Sequence, residues 1–160
     1  MKILLLVDVQ KEFAKDEKGK QLYADICKYV AEYGHVDYDL VIATLYKNGN
    51  SNNMHNMVKW DEMRDIQEVD YAADYALIHS GYCPRTLSMI TPDDEVTVIG
   101  YDTDACVMST LFRLFDMDVP FRVIENGIWS SGGISMHEAG LKVINRQFGT
   151  ALYHEPKLGK

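Results

Sequence analysis

The sequence predicts a single-domain α/β protein with a doubly wound, mostly parallel sheet. We expect six strands in the order 3-2-1-4-5-6, with helices on both faces. Short, continuous apolar runs alternate with longer amphipathic stretches along the chain, which is typical of strands covered by helices on both sides. No linker, repeat or low-complexity segment interrupts this alternation. Residues 1–160 are therefore expected to form one domain with right-handed crossovers between its strands.

The individual elements follow from the same pattern. The aliphatic runs predict strands over 3–7, 40–43, 75–78, 96–99 and 119–124, and a weak one over 151–153. Apolar residues at helical spacing predict a helix over 22–33, with Gly34 as its stop. Pro84 suits the first turn of a short helix over 84–90. Further helices are predicted over 104–115 and from Ser135 to Gly149.

Composition limits the partners and the compartment. The 160 residues are 47% hydrophobic and 25% charged, and the net charge is −8, so nothing attracts the chain to nucleic acid or anionic lipid. No apolar run has the length of a membrane span. The apolar start is too short for a signal peptide and Asp8 interrupts it. We therefore expect a cytoplasmic protein that acts on a small molecule, without nucleic-acid or membrane partners.

Three cysteines argue against a structural cross-link. Cys27, Cys83 and Cys106 are odd in number and lack CxxC spacing, so neither a disulfide framework nor a zinc site is expected. Cys27 lies on the apolar side of the first helix and is assigned to the core. Cys83 is equally compatible with a pocket and with a structural position.

Topology selects two segments as a candidate site. In the order 3-2-1-4-5-6 the winding reverses between strands one and four, and ligands bind beyond the carboxyl ends of these strands. The residues there are 8–10 after the first strand and 100–106 after the fourth. Cys106 lies in the first turn of a helix, where free N–H groups and the helix dipole favour thiolate and lower its pKa. Position alone leaves two interpretations open, a nucleophile and a small buried apolar residue.

The same segments resemble a known family. Residues 5–10 read LLVDVQ and Phe13 follows, as in the opening of isochorismatase-like cysteine hydrolases, the superfamily that includes nicotinamidases. GYDTDACV at 100–107 resembles the family's nucleophile motif, and SSGG at 130–133 with His137 resembles its C-terminal segment. The ordered set covers nearly the whole chain.

The resemblance implies a mechanism and roles for particular residues. The family hydrolyses small amides or related compounds through a covalent intermediate on the cysteine, with an Asp-Lys-Cys triad. By resemblance, Asp8 is the proton acceptor and Cys106 the nucleophile. The backbone N–H groups of Asp102 and Cys106 then form the oxyanion hole, beside a cis peptide bond between Tyr101 and Asp102. The resemblance also implies a homo-oligomer, a dimer or a tetramer.

Two positions depart from the family pattern. Where the family has lysine, the register set by Tyr82 places His79, and we expect this imidazole to point at Asp8 or Cys106 because histidine can exchange protons with either group. After the second strand the sequence TLYKN at 44–48 lacks the Asp and His that bind metal in nicotinamidases. We therefore expect no metal and no other cofactor.

The pocket is assigned to Gln10, Phe13, Trp60 and Tyr82. Large aromatic residues in a domain of this size are also compatible with a place in the core. His137 is assigned a structural hydrogen bond. Two functions remain open. One is an active hydrolase of a C–N bond, supported by Asp8 and Cys106 in their motifs. The other is a catalytically silent homologue that binds a small molecule or a partner in the same pocket, supported by the missing lysine.

Overall fold

The computed structural model describes residues 1–49, 53–66 and 68–160. Within this part of the chain the strands alternate with helices or long loops. The strands are β1 (Lys2–Val7), β2 (Leu40–Tyr46), β3 (Tyr75–His79), β4 (Glu95–Tyr101), β5 (Phe121–Trp129) and β6 (Leu152–Tyr153). The helices are α1 (Glu17–Asp37), α2 (Cys106–Asp116) and α3 (Ile134–Phe148).

The described strands form one six-stranded sheet in the order β3-β2-β1-β4-β5-β6, and each neighbouring pair is parallel. The predicted fold class and strand order are confirmed. β1 lies between β2 and β4, with Val7 opposite both Thr44 and Gly100. The residues that follow β1 therefore lie at the switch point, beside the ends of both neighbours.

The side chains of β1 alternate between two cores. Leu4 and Leu6 pack on the side of α1, against residues such as Ile26. Ile3 and Leu5 pack on the opposite side, with the apolar faces of α2 and α3. All four of these strand side chains are fully buried. A central strand with helices on both of its faces explains why the first apolar run of the sequence is continuous.

Two helix predictions were wrong. α1 continues through Gly34, which is buried and faces Val41 of β2, so this glycine allows close packing and does not end the helix. The predicted helix over 84–90 does not form. In its place the Ile90 N–H donates to the Leu87 carbonyl, and the Thr86 hydroxyl accepts from the Ser88 N–H. Such local side-chain bonds compete with helix formation. Leu87 and Ile90 of this turn are buried.

None of the helices in the described ranges is both long and apolar enough to cross a bilayer.

Gly100 fixes the approach of β4 to β1, and its replacement is predicted to destabilise the fold. Its φ is +132°, and an added Cβ would lie 2.0 Å from the Val7 carbonyl oxygen. We expect Gly100→Ala to lower the free energy of unfolding by about 3 kcal/mol or more, because backbone atoms must move and the conformation disfavours a side chain. Urea denaturation measures this effect.

The matched control is Gly81→Ala, since an added Cβ there meets no atom within 4 Å. A Gly100→Ala variant as stable as Gly81→Ala would contradict the strand approach described here.

Candidate active site

Asp8 is the first residue after β1 and is completely buried. Its φ of 47° turns the chain sharply at the end of the strand. Its Oδ1 accepts hydrogen bonds from Thr44 Oγ1 and His79 Nε2, each at 2.7 Å. Its Oδ2 is also buried, and no group of the described residues donates a hydrogen bond to it. One oxygen of this carboxylate is therefore held in place, and the other is free to accept a proton.

His79 ends β3 and is 8% exposed. It lies beside Tyr46 in the sheet, and the two rings meet edge to face with centroids 5.8 Å apart. His79 lies within hydrogen-bond reach of Asp8, as expected. It does not point into the cavity over Cys106, because it lines a different cavity together with Cys83. No hydrogen bond of the described residues joins His79 to Cys106, and its Nδ1 is buried without a partner. The imidazole thus contacts the carboxylate and does not lie between the carboxylate and the thiol.

Cys106 is the first residue of α2 and is 6% exposed. Burial, followed by the negative charge of the neighbouring Asp8, raises the pKa of the thiol well above its usual range. The expectation that the helix N-terminus lowers this pKa was wrong, because loss of water and an adjacent carboxylate outweigh the dipole. The resting site therefore pairs a neutral thiol with an acceptor that lies next to it.

The turn before α2 exposes two backbone donors. The peptide bond between Tyr101 and Asp102 is cis, as the resemblance implied. The Asp102 carbonyl accepts from the N–H groups of Ala105 and Val107. Within the described ranges, the N–H groups of Asp102 and Cys106 have no acceptor. Two unpaired donors thus lie on the same turn as the thiol.

The Asp102 side chain links this turn to the loop after β5. Its carboxylate accepts from the backbone N–H of Ser131 at 2.7 Å and from the Ser131 hydroxyl at 2.6 Å. Burial, partly offset by these two hydrogen bonds, raises the pKa of Asp102 to about 6. Asp102 therefore holds Ser131 in place at the edge of the candidate site.

A cavity of about 370 Å³ opens over Cys106, which is in the range of small-molecule sites. One wall is aromatic: Tyr46 and Trp60 stack with centroids 4.9 Å apart, and Phe13 lies 5.8 Å from Trp60. The remaining lining is mixed, with two cations. The cavity is lined by Phe13, Lys15, Tyr46, Met54, Val58, Lys59, Trp60, Gly81, Tyr82, Asp102, Ala105, Cys106 and Ser131.

The structure brings most of the predicted pocket residues together. Phe13, Trp60 and Tyr82 line the cavity. Gln10 lies elsewhere: its amide donates to the Tyr46 carbonyl at 3.0 Å and accepts from the Tyr46 N–H at 2.8 Å. Both ends of the side chain are occupied, so Gln10 joins the loop after β1 to the end of β2 and does not line the cavity.

Several contributors were missed by the sequence reasoning. Thr44 is a polar residue in a buried strand, directly beside the end of β1, and this polarity was the signal that could have identified it. Ser131 belongs to the SSGG motif, which gave it no role in the pocket, and Lys15 and Lys59 carry no comparable pattern. Their positions depend on how three loops meet above α2.

Three further residues considered from the sequence lie outside the cavity over Cys106. His137 is buried, and its Nδ1 lies 2.7 Å from Thr103 Oγ1, which fits the predicted structural hydrogen bond. Cys83 accepts a hydrogen bond from Thr110 Oγ1 at 3.8 Å and lines a different cavity, on the outer side of β3. Cys27 is half-buried against the core on the α1 side.

Ligands for a metal ion do not converge in the described ranges, where no group of three or more His, Cys, Asp or Glu side chains is placed to hold one. His55, which follows the second strand in the loop region, is exposed and bonds to Asp61 at 2.8 Å.

Comparisons with known proteins concern the fold and one segment of the chain. Residues 87–156 match the family model described as "Isochorismatase domain"; this segment contains Cys106 but neither Asp8 nor His79. No curated protein sequence matches the chain. A pyrazinamidase/nicotinamidase from Streptococcus mutans UA159 superimposes with a TM-score of 0.73 at 15% identity, covering 96% of this chain and 100% of that one.

Two further solved structures show the same fold. An N-carbamoylsarcosine amidase from Thermoplasma acidophilum gives a TM-score of 0.73 at 15% identity, over 96% of this chain and 95% of that chain. An isochorismatase-like hydrolase from Alkaliphilus metalliredigens gives a TM-score of 0.70 at 17% identity, over 96% of this chain and 94% of that chain. At these identities the likeness concerns the fold. Together with the matched domain, it confirms the resemblance that the sequence predicted.

The charge of Asp8 is predicted to control the ionisation of Cys106. Because the carboxylate raises the pKa of the thiol, Asp8→Asn should lower this pKa, and thiolate should appear at lower pH than in the unsubstituted protein. The shift of the thiol pKa is measured by the ultraviolet absorbance of the thiolate or by the pH dependence of alkylation.

The double variant Asp8→Asn, Cys106→Ala assigns the signal to this thiol. An unchanged titration in Asp8→Asn would show that the carboxylate does not act on Cys106.

Proposed function

We propose that this chain, which carries an isochorismatase domain, is a cysteine-dependent hydrolase of a small amide or a related C–N bond. The observation that carries the proposal is that Cys106 lines the cavity and lies near enough to the buried Asp8 carboxylate for this charge to raise the pKa of the thiol. A neutral nucleophile beside a fixed proton acceptor is the arrangement that nucleophilic catalysis requires. The nicotinamidase and the carbamoylsarcosine amidase that share the fold are amide hydrolases by name.

The first half of the reaction forms a thioester. A substrate carbonyl enters over Cys106, and the thiol proton passes to Asp8, whose Oδ2 has no other partner. The sulfur then bonds to the carbonyl carbon. The negative charge on the carbonyl oxygen is stabilised by the N–H groups of Asp102 and Cys106, the two unpaired donors of the turn. The proton held on Asp8 moves to the amide nitrogen, and the amine leaves as the C–N bond breaks.

The second half regenerates the thiol. Water attacks the thioester carbonyl and gives one proton to Asp8. The acid product leaves, and the proton returns to the sulfur. Asp8 thus alternates between base and acid in both halves, and only its position relative to Cys106 must be maintained.

His79 is proposed to position and charge-balance Asp8. The imidazole and the Thr44 hydroxyl donate to the same oxygen of Asp8, which keeps the other oxygen directed away from β2 and β3. In the related family a lysine fills this place. A histidine supplies the same donor, and it also carries a proton that can be exchanged.

The substrate class, the oligomeric state and the location are predictions. A small-molecule substrate fits the cavity volume. The homo-oligomer rests on the family resemblance, and the cytoplasmic location rests on the short apolar start that Asp8 interrupts. The alternative function is a silent homologue that binds a small molecule in the same cavity, and the first experiment below separates the two.

A covalent intermediate on Cys106 is the direct prediction. Incubation with a panel of small amides, followed by rapid acid quenching, should give an intact mass increased by the acyl group, because the thioester forms before water attacks. Cys106→Ala should abolish the adduct, and Cys83→Ala should retain it. Ligand binding without any adduct or product across the panel would favour the silent homologue.

His79 and Thr44 provide a matched pair for the second prediction. His79→Ala should slow acylation by roughly 10²-fold, because the buried Asp8 carboxylate loses a donor and a hydrogen bond to a charged group is worth up to about 3 kcal/mol. Thr44→Val removes the other donor to the same oxygen and should slow it by about tenfold, the effect of one lost hydrogen bond to a charged group. Stopped-flow acylation rates over pH 5–9 test both. If the two variants lose the same fraction of the acylation rate and have identical pH profiles, His79 acts only as a hydrogen-bond donor.

A further inference from the structure

Two lysines are among the residues that line the cavity over Cys106. Lys15 follows the short turn Lys11–Phe13 after β1, and Lys59 follows the helical turn Met54–Val58. Both residues are exposed, and both line the same cavity as Cys106. They come from separate segments of the chain, so their presence at one opening is a product of the fold.

Neither lysine is paired with a carboxylate in the described ranges. Lys15 and Lys59 take part in none of the salt bridges there, which for lysine are those of Lys11, Lys20 and Lys157. Residues 50–52 and 67 are Asn, Ser, Asn and Gln, which carry no charge. Two unpaired lysines on the lining of one cavity attract an anionic group.

The carboxylate among the lining residues forms no ion pair with either lysine. Asp102 lines the cavity, and its two oxygens accept hydrogen bonds from the backbone N–H and the hydroxyl of Ser131. The stacked rings of Tyr46 and Trp60 form an apolar wall of the same cavity. The cavity therefore combines a thiol, an apolar wall and a cationic border.

We propose that the substrate is a small amide whose acyl part carries a carboxylate, and that Lys15 and Lys59 select it by binding this group. The inference rests on the proposed function and deepens it. The amide carbonyl lies over Cys106, the body of the substrate lies against the aromatic wall, and the carboxylate lies at the opening. Neutral amides of the same shape lack the group that these two residues bind.

Kinetics on matched amides test the selection. We compare 3-carbamoylbenzoate with benzamide, and succinamate with butanamide. The carboxylated member of the productive pair should have a KM at least tenfold lower. Lys15→Gln and Lys59→Gln should each raise that KM about fivefold, in line with partly exposed ion pairs, and so reduce the ratio between the KM values of the neutral and the carboxylated amide. Higher salt should reduce the preference because it screens exposed charges.

Two variants serve as controls. Lys59→Arg keeps the cation and should retain the low KM. Lys142→Gln removes an exposed lysine on α3, outside the cavity, and should change nothing. A neutral amide used as well as its carboxylated partner, or lysine variants that affect both members equally, would overturn the inference while leaving the hydrolase proposal intact.

Binding to the Cys106→Ala variant decides the inference independently of catalysis. Titration calorimetry with isophthalate, benzoate and benzamide should show tighter binding of the carboxylates, and this preference should disappear in the Lys15→Gln, Lys59→Gln double variant. If no amide acylates Cys106, the proposed function fails, and this titration still supports or rejects an anion-binding cavity. Equal binding of isophthalate and benzamide would reject it.

Discussion

The burial of the Asp8 carboxylate is the constraint on which the rest of the site depends. A charged group without water is tolerated only when donors replace its hydration. Here the donors come from the two strands on one side of β1: Thr44 from β2 and His79 from β3. The strand order is therefore also an electrostatic requirement, since the parallel register is what brings these donors to the end of β1.

The thiol shows how competing electrostatic effects are decided by magnitude. A helix N-terminus contributes about 0.3–1 kcal/mol, which is less than one pKa unit. Burial and an adjacent like charge can shift a pKa by about 3–5 units in the opposite direction. The buried Cys106 therefore has a raised pKa although it begins α2. Its activation requires a nearby base, and this makes Asp8 central to the proposed chemistry rather than accessory to it.

Much of the fold could be predicted because it depends on local patterns. The continuous apolar runs located every strand of the sheet, and the alternation with helices gave the parallel order. The errors arose where packing overrides local preference. Gly34 remains helical because it fits against β2. The segment after Pro84 forms turns because Leu87 and Ile90 anchor it in the core while Thr86 bonds to its own backbone.

By itself, the sequence determined the α/β class, the position of Asp8 and Cys106 at the switch point, and the presence of His79 where the related family has lysine. These depend on periodicity and on motifs, which are properties of neighbouring residues. Only the tertiary structure decided that His79 is hydrogen-bonded to Asp8, that both ends of the Gln10 amide are hydrogen-bonded to Tyr46, and that Lys15 and Lys59 line one cavity. These facts depend on distances between segments that are far apart in the chain, and such distances are set by the register of the sheet and by the packing of its loops.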